Sequence, residues 1–189
     1  MAATTLRQHP NLQQMILNCQ QRHAEDEELD LYLQVAPENE ARVRSIREIR
    51  EVETPIVRKV VKRIFEVYPY EQHHELAVTK ATRDVKMVVL YASLAMLMGD
   101  PQWMRDKLLL WMRSILNAFR FPDKLPNREY IYQADPRASA KLQKLKPHQR
   151  SVFETFMLCR DEMQRALSRE AYAEIETYLN LAVETLSIE

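Results

Sequence analysis

The stretch AMLMGDPQWM, residues 95–104, carries the only glycine in a chain of 189 residues. Average usage near ~7% would supply about a dozen. Gly99 follows an apolar run of helical composition and precedes Asp100-Pro101. That order predicts a helix stopping at a left-handed residue, where a Cβ would clash, and a second helix capped by Asp100 and opened by Pro101. A chain with one glycine has none to spare for hairpin turns or phosphate-binding loops. Leu, Ala, Glu, Arg, Lys, Gln and Met dominate the rest, all good helix formers. The sequence reads as all-α and, at this length, as a single domain over 1–189 with a sizeable core.

Lysine and arginine number 27 against 27 acids, so no global pull toward nucleic acid or an anionic membrane is expected. The most apolar stretch, Met87–Met98, is 12 residues long and reads as a buried helix rather than a membrane span. The N-terminal MAATTLRQHPN lacks the apolar core of a signal peptide. Cys19 and Cys159 fit no metal or redox spacing and are expected to be free thiols in a reducing cytoplasm.

Helical periodicity places Leu12, Met15, Ile16 and Cys19 on one face of a helix over 11–23, and a second helix follows over 25–35. Val43, Ile46 and Ile49 mark a third over 38–50. Thr54-Pro55 reads as a cap and first residue of a fourth, to about Val67. A long helix over 75–98 ends at Gly99. The pattern from Pro101 to Phe119 fits one helix or two short ones, with Trp103 and Trp111 in the core. Residues 122–146 read as a basic irregular insertion with one short helix near 137–145. Pro147 opens a helix with Val152, Phe153, Phe156, Met157 and Met163 inward. Ser168 caps the last helix, whose stripe is Tyr172, Ile175, Leu179, Val183 and Leu186.

The 25 residues KATRDVKMVVLYASLAMLMGDPQWM (80–104) resemble the core motif of the phycobiliproteins, the bilin-carrying light-harvesting subunits of phycobilisomes. Lys80, Arg83, Asp84, Tyr91, Gly99 and Asp100 fall on the family's pattern without a gap. ELD at 28–30, RVRSI at 42–46, DKLLLWMRSILNAF at 106–119 and TYLNLAVETLS at 177–187 extend the resemblance over nearly all of the chain outside 122–146. It implies a globin-like body of about eight helices. Residues 1–36 would be an N-terminal helical extension that docks onto a partner.

The departures shape the functional expectation. The family attaches its bilin to a cysteine in the motif, and Ala81 stands at that position. The position that best matches a second attachment site is Ser168, and neither Cys19 nor Cys159 falls on one. Trp111 replaces a family glycine, and its bulk is expected to shrink or reshape the space a bilin would fill; Leu90 replaces an arginine that supports subunit pairing, and Asn180 an aspartate. The resemblance implies that Lys80 and Arg83 face bilin propionates and that Asp84 faces the pyrrole nitrogens. Guanidinium–carboxylate pairing and a carboxylate beside a cationic tetrapyrrole make chemical sense of that. The bland alternative is a surface ion pair. His73 and His74 read as solvated loop histidines without a third ligand, so no metal is expected. Tyr130 and Tyr132 are candidate anchors of a basic docking arm.

No catalytic constellation is present in the sequence, and no enzymatic activity is expected. The expectation is a phycobilisome-family protein without covalent chromophore. It would act through contacts with phycobiliprotein or other photosynthetic-complex subunits in structure, assembly or regulation. A homo-oligomer is compatible with this; nucleic-acid binding and membrane insertion are not expected. The location would be cytoplasmic, extending to the periphery of the thylakoid surface. The alternatives are a sensor or carrier globin holding a tetrapyrrole or other apolar ligand noncovalently at Lys80, Arg83 and Asp84, and a chaperone for bilin or nascent phycobiliproteins.

Overall fold

The computed structural model describes residues 10–68, 75–118 and 130–187. All regular structure among them is helical. In chain order the α-helices are α1 (Pro10–Asn18), α2 (Asp26–Val35), α3 (Glu40–Val67), α4 (Ala77–Met98), α5 (Pro101–Met104), α6 (Leu110–Ala118), α7 (Pro136–Leu142), α8 (Pro147–Ala166) and α9 (Arg169–Leu186). A 3₁₀ turn (Pro37–Asn39) leads into α3, and a π-helical turn (Arg105–Leu109) joins α5 to α6. This is the globin-like fold of the phycobiliproteins.

The core is built around α4, in which every residue from Val88 to Met98 is buried. A helix apolar on all sides has to sit between others, and α4 packs against both α3 and α9. Gly99 then ends it as expected, at φ 65° and ψ 29°. The Gly99 amide donates to the Met96 carbonyl and the Asp100 amide to the Ala95 carbonyl, the paired bonds of a Schellman stop. The Asp100 carboxylate accepts from the Trp103 amide at 3.0 Å and Pro101 opens α5. The same local chemistry starts α9, where the Ser168 hydroxyl accepts from the Ala171 amide at 3.2 Å. The stripe Tyr172, Ile175, Leu179, Val183 and Leu186 is buried as the periodicity requires.

Three expectations are corrected. Thr54-Pro55 does not start a helix: α3 runs unbroken for 28 residues with Pro55 inside it. The apolar stripe Ile46, Ile49, Ile56, Val60, Ile64 continues in phase through the proline, and its burial outweighs the lost backbone bond. Pro55 and Glu51 are both exposed, so the Glu51 carbonyl that Pro55 cannot serve lies on the solvent side of the helix. The first helix ends at Asn18 rather than 23. Beyond it Arg22 turns to Glu28 (2.7 Å) and His23 to Glu53 (2.9 Å), which holds the chain in an irregular link. Finally, Trp111 is not core; 51% of it is exposed.

The described part of the N-terminal extension is fastened to the body. Leu29 and Tyr32 of α2 are completely buried, and the Tyr32 hydroxyl donates to the Leu97 carbonyl at 2.8 Å. Outside this anchor, Arg47 bridges Asp26 and Asp30 while Arg50 also reaches Asp26.

Candidate functional site

Lys80, Ala81, Arg83 and Asp84 lie in the first two turns of α4. Arg83 donates from Nε and Nη2 to Oδ1 of its neighbour Asp84, at 2.8 and 2.7 Å. The Arg83 side chain is about half exposed (54%), whereas that of Asp84 is mostly covered (16%). The two groups that would receive a propionate and a pyrrole nitrogen thus bond to each other. Lys80 is half-buried one turn earlier. Ala81 is partly buried against the core and offers only a methyl group where a thioether needs sulfur.

The remaining thiols are far from nucleophilic. Cys19 and Cys159 are free and buried, and burial pushes each thiol up to about 12. Ser168, at the second attachment-like position, is engaged as a helix cap and donates to Glu48 at 3.0 Å. Leu90, where the resemblance would place an arginine, is buried in the core. Tyr91 stacks on Trp103 with centroids 5.3 Å apart, and burial raises the Tyr91 phenol above its usual range. No group of three or more His, Cys, Asp or Glu side chains suited to a metal occurs among the described residues. His73 and His74 lie outside the described residues, as do 122–129 of the basic segment.

The described part of that segment is organised by two carboxylates of α8, Glu154 and Asp161, that sequence reading missed. Glu154 of α8 is fully buried. It accepts from the Tyr68 hydroxyl at 2.6 Å and the Tyr132 amide at 2.9 Å, with the Ile131 amide adding another bond. Burial raises its carboxyl above the usual range, and these donors oppose the rise. The Tyr132 hydroxyl donates to Asp161 at 2.7 Å, and Arg150 donates to the Tyr130 hydroxyl. Tyr130 and Tyr132 therefore turn inward to pin residues 130–135 onto α8, which removes them as outward anchors. The available signal was Glu154 itself, a lone acid inside the apolar run VFETFMLC (152–159): such an acid either faces water or holds buried donors.

This arrangement joins a helical body with a Gly99 stop to an Arg83-Asp84 pair on the buried central helix, and the family model for phycobilisome proteins matches residues 16–126. The chain belongs to the phycobilisome protein family. The match in this phycobilisome protein runs from the last turn of α1 through α6 and includes the pair and Gly99. No curated protein and no solved structure matches it.

Proposed function

We propose that this phycobilisome protein carries no covalent chromophore and works through protein contacts in the structure, assembly or regulation of phycobilisomes or a related photosynthetic complex. The carrying observation is at the start of α4. Arg83 is held by Asp84 beside Ala81, so the attachment sulfur is missing and the polar partners of a bilin are already joined. In this reading residues 1–189 act as one unit, with 1–36 as its extension and 122–146 as an insertion. Its partners are phycobiliprotein or other photosynthetic-complex subunits. It is not an enzyme, and it works in the cytoplasm at the thylakoid surface. No helix among the described residues is long and apolar enough to cross a membrane.

The test is coexpression with bilin-synthesis enzymes and lyases, followed by a denaturing gel scanned for zinc-induced fluorescence. The expected result is no fluorescent band, together with antenna subunits recovered on affinity capture of the tagged chain from phycobilisomes. A band that survives denaturation overturns the reading.

One observation favours a second reading, a noncovalent tetrapyrrole carrier. Trp111 was expected to fill the space a ligand would need, yet its indole is half exposed. Visible absorbance that follows the native protein through gel filtration and disappears on denaturation would support that alternative.

A further inference from the structure

The charge of this chain is balanced in sum but not in space. Between Ile56 and Phe65, α3 carries four cations and no acid. Arg58, Lys59, Lys62 and Arg63 are all exposed. Arg58 and Lys62 stand at i and i+4, as do Lys59 and Arg63, which makes two parallel rows with neighbours about 6 Å apart along the axis. The helix α8 runs antiparallel beside this face, since Lys59 meets Glu162 while Tyr68 meets Glu154. Its end adds Arg165.

The described acids at this face, Glu162 and Glu66, are already engaged. Glu162 is 7% exposed and takes Lys59 on Oε2 at 2.5 Å and Arg165 on Oε1 at 2.6 Å. It fixes the positions of two cations that are themselves 63% and 67% exposed. Glu66 takes Arg63 at 3.0 Å. Arg58 and Lys62 make no ion pair among the described residues. The face is therefore a net-positive ridge whose outer cations are partly pre-positioned. Holding a charged side chain in place before contact lowers the ordering cost of binding.

We propose that this ridge along α3 and the end of α8 is a docking surface for a carboxylate-bearing helix of a protein partner. The inference rests on the reading that the chain works through protein contacts, and it names the partner's chemistry. A helix with Glu or Asp at i and i+4 presents the matching spacing. An anionic membrane fits less well. Among the described residues the large exposed apolar side chains are Leu17, Leu31, Leu76, Val78 and Trp111, none of them on α3 or α8, so the ridge presents no described apolar side chain for insertion, and charge alone holds a protein weakly to lipid.

The experiment is fluorescence anisotropy of the full chain with a labelled helical peptide carrying Glu at i and i+4 along one face, against the same peptide with Gln. The Glu peptide should bind at low salt and the Gln peptide should not. R58E/K62E should weaken binding by about tenfold or more, while R137E/K144E, an equal charge change on and just after α7, should leave it unchanged. Circular dichroism checks both variants, and R58Q/K62Q replaces the reversal if helicity falls. Equal loss in the two variants, or no binding of the Glu peptide, overturns the ridge. So does binding to phosphatidylglycerol vesicles that needs Arg58 and Lys62 while the peptide is ignored. Antenna subunits captured undiminished by R58E/K62E would also overturn it while leaving the protein-contact reading standing. A covalent bilin adduct would count against that reading and not against the ridge.

Discussion

Arg42 Nη1 stands 2.9 Å from the point a Cβ would occupy on Gly99. Arg42 belongs to the first turn of α3 and Gly99 follows the last turn of α4. A cation at the C-terminal end of a helix is favoured by the partial charge of the free carbonyls. The guanidinium is also tied by Nε to Glu174 of α9 at 3.4 Å. The single glycine thus meets two requirements at once, a left-handed backbone and room for an arginine that joins three helices. Gly99→Ala should lower stability in urea by about 1–2 kcal/mol from the backbone alone. A further loss should come from displacing Arg42. In an Arg42→Ala background the same substitution should cost less. Equal costs in the two backgrounds would mean that the close approach does not matter.

Pro55 is an internal helix proline on the solvent face, and neither it nor Glu51 is buried. Its replacement sacrifices little packing and restores a backbone bond. Pro55→Ala should therefore stabilise the chain by about 1–3 kcal/mol, read as a higher urea midpoint with an unchanged slope. A lower midpoint would show that the proline makes a contact that its exposure conceals.

These two positions also show how much of the fold was legible in the sequence. Gly99, Asp100 and Ser168 act on amides within five residues of themselves, and such local chemistry is written in neighbouring letters. Pro55 obeyed the same local rule and was overruled by an apolar stripe spanning the whole of α3. Tyr130 and Tyr132 were misjudged because their partners, Arg150, Glu154 and Asp161, are 20 to 29 residues away along the chain. Trp111 was misjudged because the π turn at Arg105–Leu109 holds an extra residue, which rotates α6 by about 100° relative to an unbroken helix. At the start of α4, sequence identified the residues, but only coordinates could show that Arg83 folds onto Asp84.

Glu154 gives a pH-dependent prediction. Its carboxyl is raised in the folded state by burial, above the ordinary value of 4.5. A raised carboxyl favours folding below the unfolded value, and that contribution is lost as pH rises through the folded value. Glu154→Gln cannot ionise. The stability of wild type relative to Glu154→Gln should therefore fall as pH rises from about 4 toward neutrality. Tyr68→Phe, which removes a donor to a buried carboxyl, should cost about 1.5–3 kcal/mol at neutral pH. Urea titrations across pH would check both, and a pH-independent difference between wild type and Glu154→Gln would contradict the first.

Cys19 can report on the N-terminal link. Its thiol donates to Glu28 at 3.7 Å, and burial raises it to about 12. Glu28 is held down to about 2, chiefly by the Arg22 guanidinium. A depressed carboxyl contributes stability above its unfolded value, and this is lost as pH falls toward the folded one. The Arg22–Glu28 contact should thus be intact at neutral pH and weaken between about pH 4.5 and 2. At pH 8 Cys19 should react with a maleimide far more slowly than a peptide thiol. Glu28→Gln should accelerate it while Cys159, buried between helices, remains slow. Rapid labelling of Cys19 in the wild type would show that α1 and its link are not held as described.

Trp111 offers the cleanest separation of packing from ligand exclusion. Its indole is half exposed on α6, whereas Trp103 is half-buried and stacked on Tyr91. Little apolar area is lost when an exposed side chain is trimmed, and most surface substitutions lie within about 0.5 kcal/mol of neutral. Trp111→Ala should therefore change the urea midpoint only slightly. Trp103→Ala should cost several times more, since it removes a stacked ring beside the π turn. The emission maximum should move to shorter wavelength in Trp111→Ala, because the remaining indole is the more buried one. The same geometry bears on ligand binding. An indole that points partly into solvent does not fill the interior, so Trp111→Ala should leave the absorbance of protein mixed with a free tetrapyrrole unchanged. Increased native absorbance in that variant would mean that the indole does guard a ligand space, and would restore the steric role first expected of it.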